Sequence, residues 1–201
     1  MKRVILAEGK NDTIFLRELL TTKLSIQENR ILFFDQDSHE KEKHLKFIQD
    51  KYFERLISDW TNYDLLVKSE GGKGKIVGVI ISRLPSLCSN KHNPIFLIDL
   101  DGLTMKAFTD DLEKKLTAKF VSMNLSTRSS ELCQVDDVIM HSVELFKHSK
   151  PIGKIFVIGF HKSLECTTGI SKTCSDEEKM NLSRNYIQRS HIDQVFLEAL
   201  K

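Results

Sequence analysis

The chain has 201 residues, 40% hydrophobic and 29% charged, which suits one ordinary soluble domain or two small ones and excludes collagen-like, coiled-coil and disordered classes. Thirty Lys plus Arg against 28 Asp plus Glu leave +2, too small a bias to announce a nucleic acid or an acidic membrane, so any binding patch has to be local. No apolar run approaches the ~20 residues that cross a bilayer, and Glu8 stops the first run too early for a signal peptide, so a cytoplasmic protein with no membrane partner is expected.

Val4-Ile5-Leu6-Ala7 reads as a buried strand that ends in Glu8-Gly9, with the glycine allowing a sharp turn. Asp12 to Leu24 follows with Ile14, Phe15, Leu19 and Leu20 at helical spacing, and Asn11 or Asp12 is available as the cap. Ile31 to Phe34 gives a second strand, Lys43 to Trp60 a helix, and Asp64 to Lys68 a short strand leading into Glu70-Gly71-Gly72-Lys73-Gly74-Lys75. Ile76 to Leu84 fits a helix or a strand, ended by Pro85 and followed by a loop from Ser86 to Asn93. Ile95 to Ile98 is the strongest buried-strand signal and terminates in Asp99-Leu100-Asp101-Gly102. Phe108, Leu112, Leu116 and Phe120 continue as an amphipathic helix. Polar Asn124 to Ser130 reads as a surface loop, Asp136 to Phe146 as a helix, Ile155 to Ile158 as the last strand, and Ser175 to Leu200 as helix broken near Ser190-His191. Alternating strands and helices predict an α/β fold with a mainly parallel sheet sandwiched between helices, in one domain over residues 1–201 with a C-terminal helical extension over 175–201. Cys88, Cys133, Cys166 and Cys174 form no Cys-x-x-Cys pair to hold zinc or shuttle disulfides, and reduced, partly buried thiols are expected rather than a disulfide framework.

In an open parallel sheet ligands bind at the carboxyl ends of the strands, where Glu8, Asp99 and Asp101 are expected. Asp99 and Asp101 point to the same side if extended geometry persists through Leu100, and paired carboxylates repel unless a cation joins them. Oxygen ligands of this kind suit Mg²⁺ or Mn²⁺. The bland alternative is that both aspartates simply start the next helix, where negative charge complements the dipole.

An apolar strand ending in Glu8-Gly9-Lys10-Asn11-Asp12, then a helix, then a later strand ending in Asp99-Leu100-Asp101-Gly102, resembles the Toprim domain of topoisomerases, bacterial-type primases, OLD-family nucleases and small RNA-maturing nucleases. The likeness spans roughly Lys2 to Leu112 and implies a Toprim-like, Rossmann-like fold. It implies Glu8 as a general acid/base or metal-linked residue, Asp99 and Asp101 as the magnesium pair, and Asp12 as the further acid of the first motif. Gly71-Gly72-Lys73 resembles a glycine-containing segment of small Toprim proteins, and Leu164-Glu165 a late acid of OLD-like members. The stretch from Asp12 to Asp99 is long for a minimal Toprim domain, which implies a helical insertion around residues 36–62. Asp35 and Asp37 form a competing pair, set aside because no glycine follows and the position is early in the expected sheet order.

Gly71, Gly72 and Lys73 are candidates to cradle phosphate, though the Walker A spacing is absent and a plain turn serves as well. Lys10 is a further phosphate candidate, with a solvated surface lysine as its alternative. Lys162 and Glu165 follow the last strand at the same edge, which makes Lys162 a catalytic candidate and Glu165 a metal candidate. The leading expectation is a Mg²⁺- or Mn²⁺-dependent endonuclease acting on DNA or RNA, with water as the nucleophile. The rivals are an accessory Toprim subunit that binds nucleic acid without cleaving it, partnered by a separate ATPase or a second copy as homodimer, and an unrelated α/β phosphatase or nucleotide-binding module.

Overall fold

The computed structural model describes residues 3–34, 63–89 and 93–201. Arg3–Ala7 forms β1, which is buried along its whole length because helices cover both its faces. The chain turns at Glu8-Gly9 into α1 (Lys10–Glu18), extended by one wider π turn over Leu19–Lys23. It returns as β2 (Ile31–Phe34), then β3 (Leu65–Ser69), α2 (Lys73–Ser89), β4 (Ile95–Asp99) and α3 (Met105–Lys119). Three long strands follow, β5 (Leu125–Val135), β6 (Val138–Lys147) and β7 (Lys150–Phe160), and then α4 (Leu164–Thr168), α5 (Asp176–Arg189) and α6 (Ile192–Leu200). The expected helix over Lys43 to Trp60, the insertion around 36–62 and the pair Asp35 and Asp37 lie outside the described residues.

The seven strands make one sheet in the order β2-β3-β1-β4-β7-β6-β5. The first five are mutually parallel, and β6 runs antiparallel to both β7 and β5, so the α/β class with a mainly parallel sheet holds. Strand alternation divides the core into two layers. Val4, Leu6, Phe96, Ile98 and Val157 pack against Ile76 and Val77 of α2 and against Met105, Phe108, Leu112 and Leu116 of α3. Ile5, Ala7, Ile95, Leu97 and Ile158 face Phe15, Leu16, Leu19 and Leu20 of the α1 segment, with Ile187 of α5 and Val195 and Phe196 of α6 beyond. The C-terminal helices thus complete one of the two covering layers.

Four local expectations are corrected. Residues 76–84 are helical, and α2 runs on through Pro85 to Ser89 where a stop and a loop were expected. A proline forfeits one rung of the helical ladder, but α2 keeps its apolar first turns, Ile76 and Val77, packed on the sheet. The polar stretch 124–130 belongs to β5, an edge strand whose largely solvated surface has no apolar run to advertise it. The stretch 136–146 is not a helix: after a two-residue turn with Asp136 at φ 52° it enters β6, which α3 and α6 cover from opposite sides. A strand buried on both faces loses its period-two signature, so Val138, Ile139, Met140, Val143 and Leu145 fit a helical stripe as readily. Finally, Gly9 at φ −147° and ψ −174° is in extended backbone that any residue adopts, so the turn after Glu8 does not depend on glycine.

Candidate functional site at the carboxyl rim

The sheet order sets β3, β1, β4 and β7 side by side and parallel, so their carboxyl ends form one continuous rim. β1 leaves its α1 crossover toward β2 on one side, while β3 and α2 cross to β4 on the other. The crevice between β1 and β4 is therefore the topological switch point where open α/β sheets bind ligands. Glu8 follows β1, Asp99 ends β4, Lys73 opens α2 just beyond β3, and Glu165 lies in the short α4 just beyond β7.

The Glu8 carboxylate accepts the backbone N–H of Asp99 through Oε1 at 2.8 Å, and the Glu8 carbonyl accepts the N–H of Gly72 at 2.8 Å. One residue thereby ties together the ends of β1 and β4 and the Gly71-Gly72 turn. Both glycines have positive φ, 74° and 125°, and they bring Lys73 over the rim. Lys73 Nζ lies 2.9 Å from Asp101 Oδ2 and 3.9 Å from Glu8 Oε1. Asp99 Oδ1 accepts the N–H of Leu164 at 2.8 Å, which fastens α4 to the end of β4. Glu165 Oε1 accepts the side-chain amide of Asn11 at 2.9 Å. Asp12 is 6% exposed and accepts the N–H of Gly9 at 2.7 Å, closing the first turn of α1.

The aspartate pair does not share one side of the strand. Extended geometry stops at Asp99, because Leu100 to Leu103 form a turn closed by Leu103 N–H on the Leu100 carbonyl, with Asp101 at φ 49° and Gly102 at φ 82°. Two consecutive positive φ values define a type I′ turn, for which Asp-Gly is a favoured pair. Asp101 is thus delivered to Lys73 on the α2 side, while Asp99 meets Leu164 on the side of β7.

Burial, and after it like charges at close quarters, raises the proton affinity of the rim carboxylates. Burial pushes the Asp99 carboxyl up to about 6; the Leu164 N–H opposes this, and Glu165, Glu8 and Asp101 reinforce it. Asp12 is pushed well above the usual carboxylate range by burial, against the Gly9 N–H and with help from Asp99, Glu8 and Glu165. Glu8 is raised by burial and by Asp101, and the Asp99 N–H and Lys73 hold it down. Five carboxylates from Glu8 to Glu165 therefore interact as one cluster around a single crevice. As they stand, no three His, Cys, Asp or Glu side chains among the described residues are arranged to hold a metal ion. Lys73 lies between Asp101 and Glu8, and Asp12 is turned to Gly9.

The other expected site residues are placed as follows. Lys10 pairs with Asp176 at the start of α5, at 3.0 Å. Lys162 is exposed in the turn between β7 and α4 and forms no ion pair with the cluster among the described residues. Asn11 is a rim residue that sequence reasoning passed over except as a helix cap; its position beside Asp12 in the first motif was the available signal.

No family model and no curated protein matches the chain. Among solved structures, the chain is similar to a de novo designed protein of P-loop NTPase fold determined by solution NMR. The identity is 12%, with 94% of this chain and 92% of that chain covered, at a TM-score of 0.32.

Proposed function

We propose that the rim is the catalytic centre of a divalent-cation-dependent phosphodiester hydrolase, an endonuclease acting on DNA or RNA. The observation that carries this reading is the convergence of Glu8, Asp12, Asp99, Asp101 and Glu165, with raised proton affinity at three of them and one ammonium, Lys73, in their midst. An all-carboxylate donor set suits a hard cation, Mg²⁺ or Mn²⁺, rather than a thiolate- or imidazole-seeking one. Asp99 and Asp101 would hold it, with Glu165 beside them, which leaves Glu8 to take a proton. Asp12, committed to Gly9, serves to fix the turn that presents Glu8. The ion would supply charge for the phosphate oxygens and lower the pKa of a water.

The chain's own groups do the rest. Water attacks phosphorus, its proton passes to the half-buried Glu8, whose affinity for it is raised, and the ester oxygen leaves and takes a proton from solvent. Lys73, at the first turn of α2, exchanges Asp101 for a phosphate oxygen and stabilises the charge that grows there. The Toprim-like assignment is part of this proposal and rests on the two acidic motifs lying on adjacent strands, β1 and β4.

One observation favours a second reading, a non-catalytic subunit that binds nucleic acid beside a separate ATPase or a second copy. Lys73 already neutralises part of the cluster internally, so the rim can stand without an ion. Incubation of the protein with supercoiled plasmid and with structured RNA separates the two. The first reading requires cleavage that depends on Mg²⁺ or Mn²⁺ and disappears in Glu8→Ala and Asp99→Ala. Wild-type protein inert toward both substrates with both ions removes the enzymatic reading and leaves the second.

A further inference from the structure

Beyond the acidic rim, a groove of ≈ 450 Å³ runs between the start of α3 and the β5-β6 strands. That size lies within the ~300–1,000 Å³ typical of small-ligand sites. Its wall is apolar at Leu103, Met105 and Ile139, and Leu103 is 52% exposed although it is a leucine. His141 rises from β6 beside Ile139 and is only 8% exposed. His141 Nδ1 is buried with no hydrogen-bond partner, and Nε2 stands 3.8 Å from Glu131, too far for a hydrogen bond. A buried imidazole nitrogen without a partner is a group with hydrogen-bonding capacity to offer. The first turn of α3 adds the N–H groups of Met105 and Lys106, which have no partners inside their own helix.

The chemistry of these walls selects a ligand. Glu131 stands at the groove with a carboxylate 57% exposed, which offers an acceptor to an amino group, while the Lys106 ammonium on the same border is paired with Asp110 at 2.6 Å. A flat heterocycle with an apolar face and a polar edge meets all the requirements: its face on Leu103, Met105 and Ile139, and its edge on His141 and Glu131. The groove also shares its loops with the rim, since Leu103 follows Asp101 by two residues and His161, on its border, precedes Leu164 by three. We propose that the groove receives an unpaired, amino-bearing nucleobase of the strand whose phosphate lies at the carboxylate rim, so that the substrate is single-stranded or locally unpaired nucleic acid. This inference rests on the phosphodiesterase reading for the strand's position, while the groove's own chemistry concerns the base.

The test is titration of the full-length, methyl-labelled protein with adenosine 5′-monophosphate, adenosine, ribose 5-phosphate and inorganic phosphate, followed by NMR. The two base-bearing probes should move the Met105 and Ile139 methyl signals saturably, and the two base-free probes should not. Leu103→Glu, a change at an exposed position that spares the core, should weaken adenosine binding about tenfold, and Asp99→Asn should leave it unchanged. A single-stranded adenine-rich oligonucleotide should move the same methyl signals, and its duplex should not. Methyl signals indifferent to adenosine, or moved equally by phosphate alone, overturn the proposal. Base binding by a protein that cleaves nothing supports the groove and removes the catalytic reading of the rim, so the two failures are distinguishable.

Discussion

The Glu8 carboxylate accepts the backbone N–H of Asp99 across 91 positions of sequence, at 2.8 Å. Parallel pairing of Ala7 with Leu97 puts the end of β1 beside the last residues of β4, so this bond follows from strand register. Glu8 is thus an acceptor for the backbone as well as a charge. Glu8→Gln keeps an oxygen for the Asp99 N–H and should change stability little, whereas Glu8→Ala leaves that N–H unpaired in a half-buried crevice. The alanine variant should lose ~1–3 kcal/mol in urea unfolding. Both variants should lose cleavage, because neither takes a proton. A glutamine variant as destabilised as the alanine variant would show that charge, not the hydrogen bond, holds the two strand ends together.

The raised Asp99 carboxyl makes the metal-free protein sensitive to pH in a definite direction. Its affinity for a proton is higher folded, at about 6, than the ordinary 3.8, so the associated stability is fully present below about pH 4 and is lost as pH rises through about 6. Glu8 and Asp12 are shifted the same way and add to the slope. Allowing for the partial exposure of Asp99, its share is on the order of 1 kcal/mol. Thermal unfolding in chelator should show Tm falling from pH 4 to 7 beyond what the rest of the chain contributes, and Asp99→Asn should flatten that fall. Mg²⁺ added at pH 7 should restore Tm in the wild-type protein and not in Asp99→Asn.

The acids of this rim were legible because each follows a short apolar run, and a parallel sheet sends all such ends to one side. Their pairing was less so. An extended strand places Asp99 and Asp101 on one side, but Asp-Gly at 101–102 makes a positive-φ turn that separates them. Lys73 was expected to meet phosphate, and it was the tertiary crossover of α2 that set it against Glu8 and Asp101 as well. β5 and β6 were missed for opposite reasons: β5 has too little apolar surface for an alternating pattern, while β6 is buried on both faces and has too much. The groove at His141 lies between those two strands and α3, so it was out of reach of any reading that made 136–146 a helix.

Lys73 stands where a bound cation would compete with it. Removing the ammonium in Lys73→Met takes a positive charge from between Glu8 and Asp101, so Mn²⁺ should bind the variant more tightly, by a factor of about five, the equivalent of ~1 kcal/mol for a partly exposed pair. Nucleic acid should bind more weakly, because the same ammonium is the group offered to phosphate. Calorimetric titration with Mn²⁺, alongside oligonucleotide binding at constant ionic strength, reads both effects. Lower Mn²⁺ affinity in the variant would mean that Lys73 organises the carboxylates rather than competing for them.

Gly159 of β7 opposes Ile98 of β4 and lies under the loop that carries Asp101. A Cβ there would come within 2.7 Å of the Met105 methyl and 3.1 Å of Leu100 Cγ. The methionine methyl ends a flexible chain and can swing aside, but the branched Leu100 is fully buried and has little room to yield. Gly159→Ala should therefore cost ~1–2 kcal/mol of stability as mild overpacking. Its larger effect should be on the turn at Leu100 to Leu103, which moves Asp101 away from Lys73 and narrows the groove at Met105. Mn²⁺ binding and adenosine binding should both weaken in this single variant, although Gly159 touches neither ligand. Unchanged binding of both at reduced stability would show that the turn is set by Asp101 and Gly102 alone and takes no support from β7.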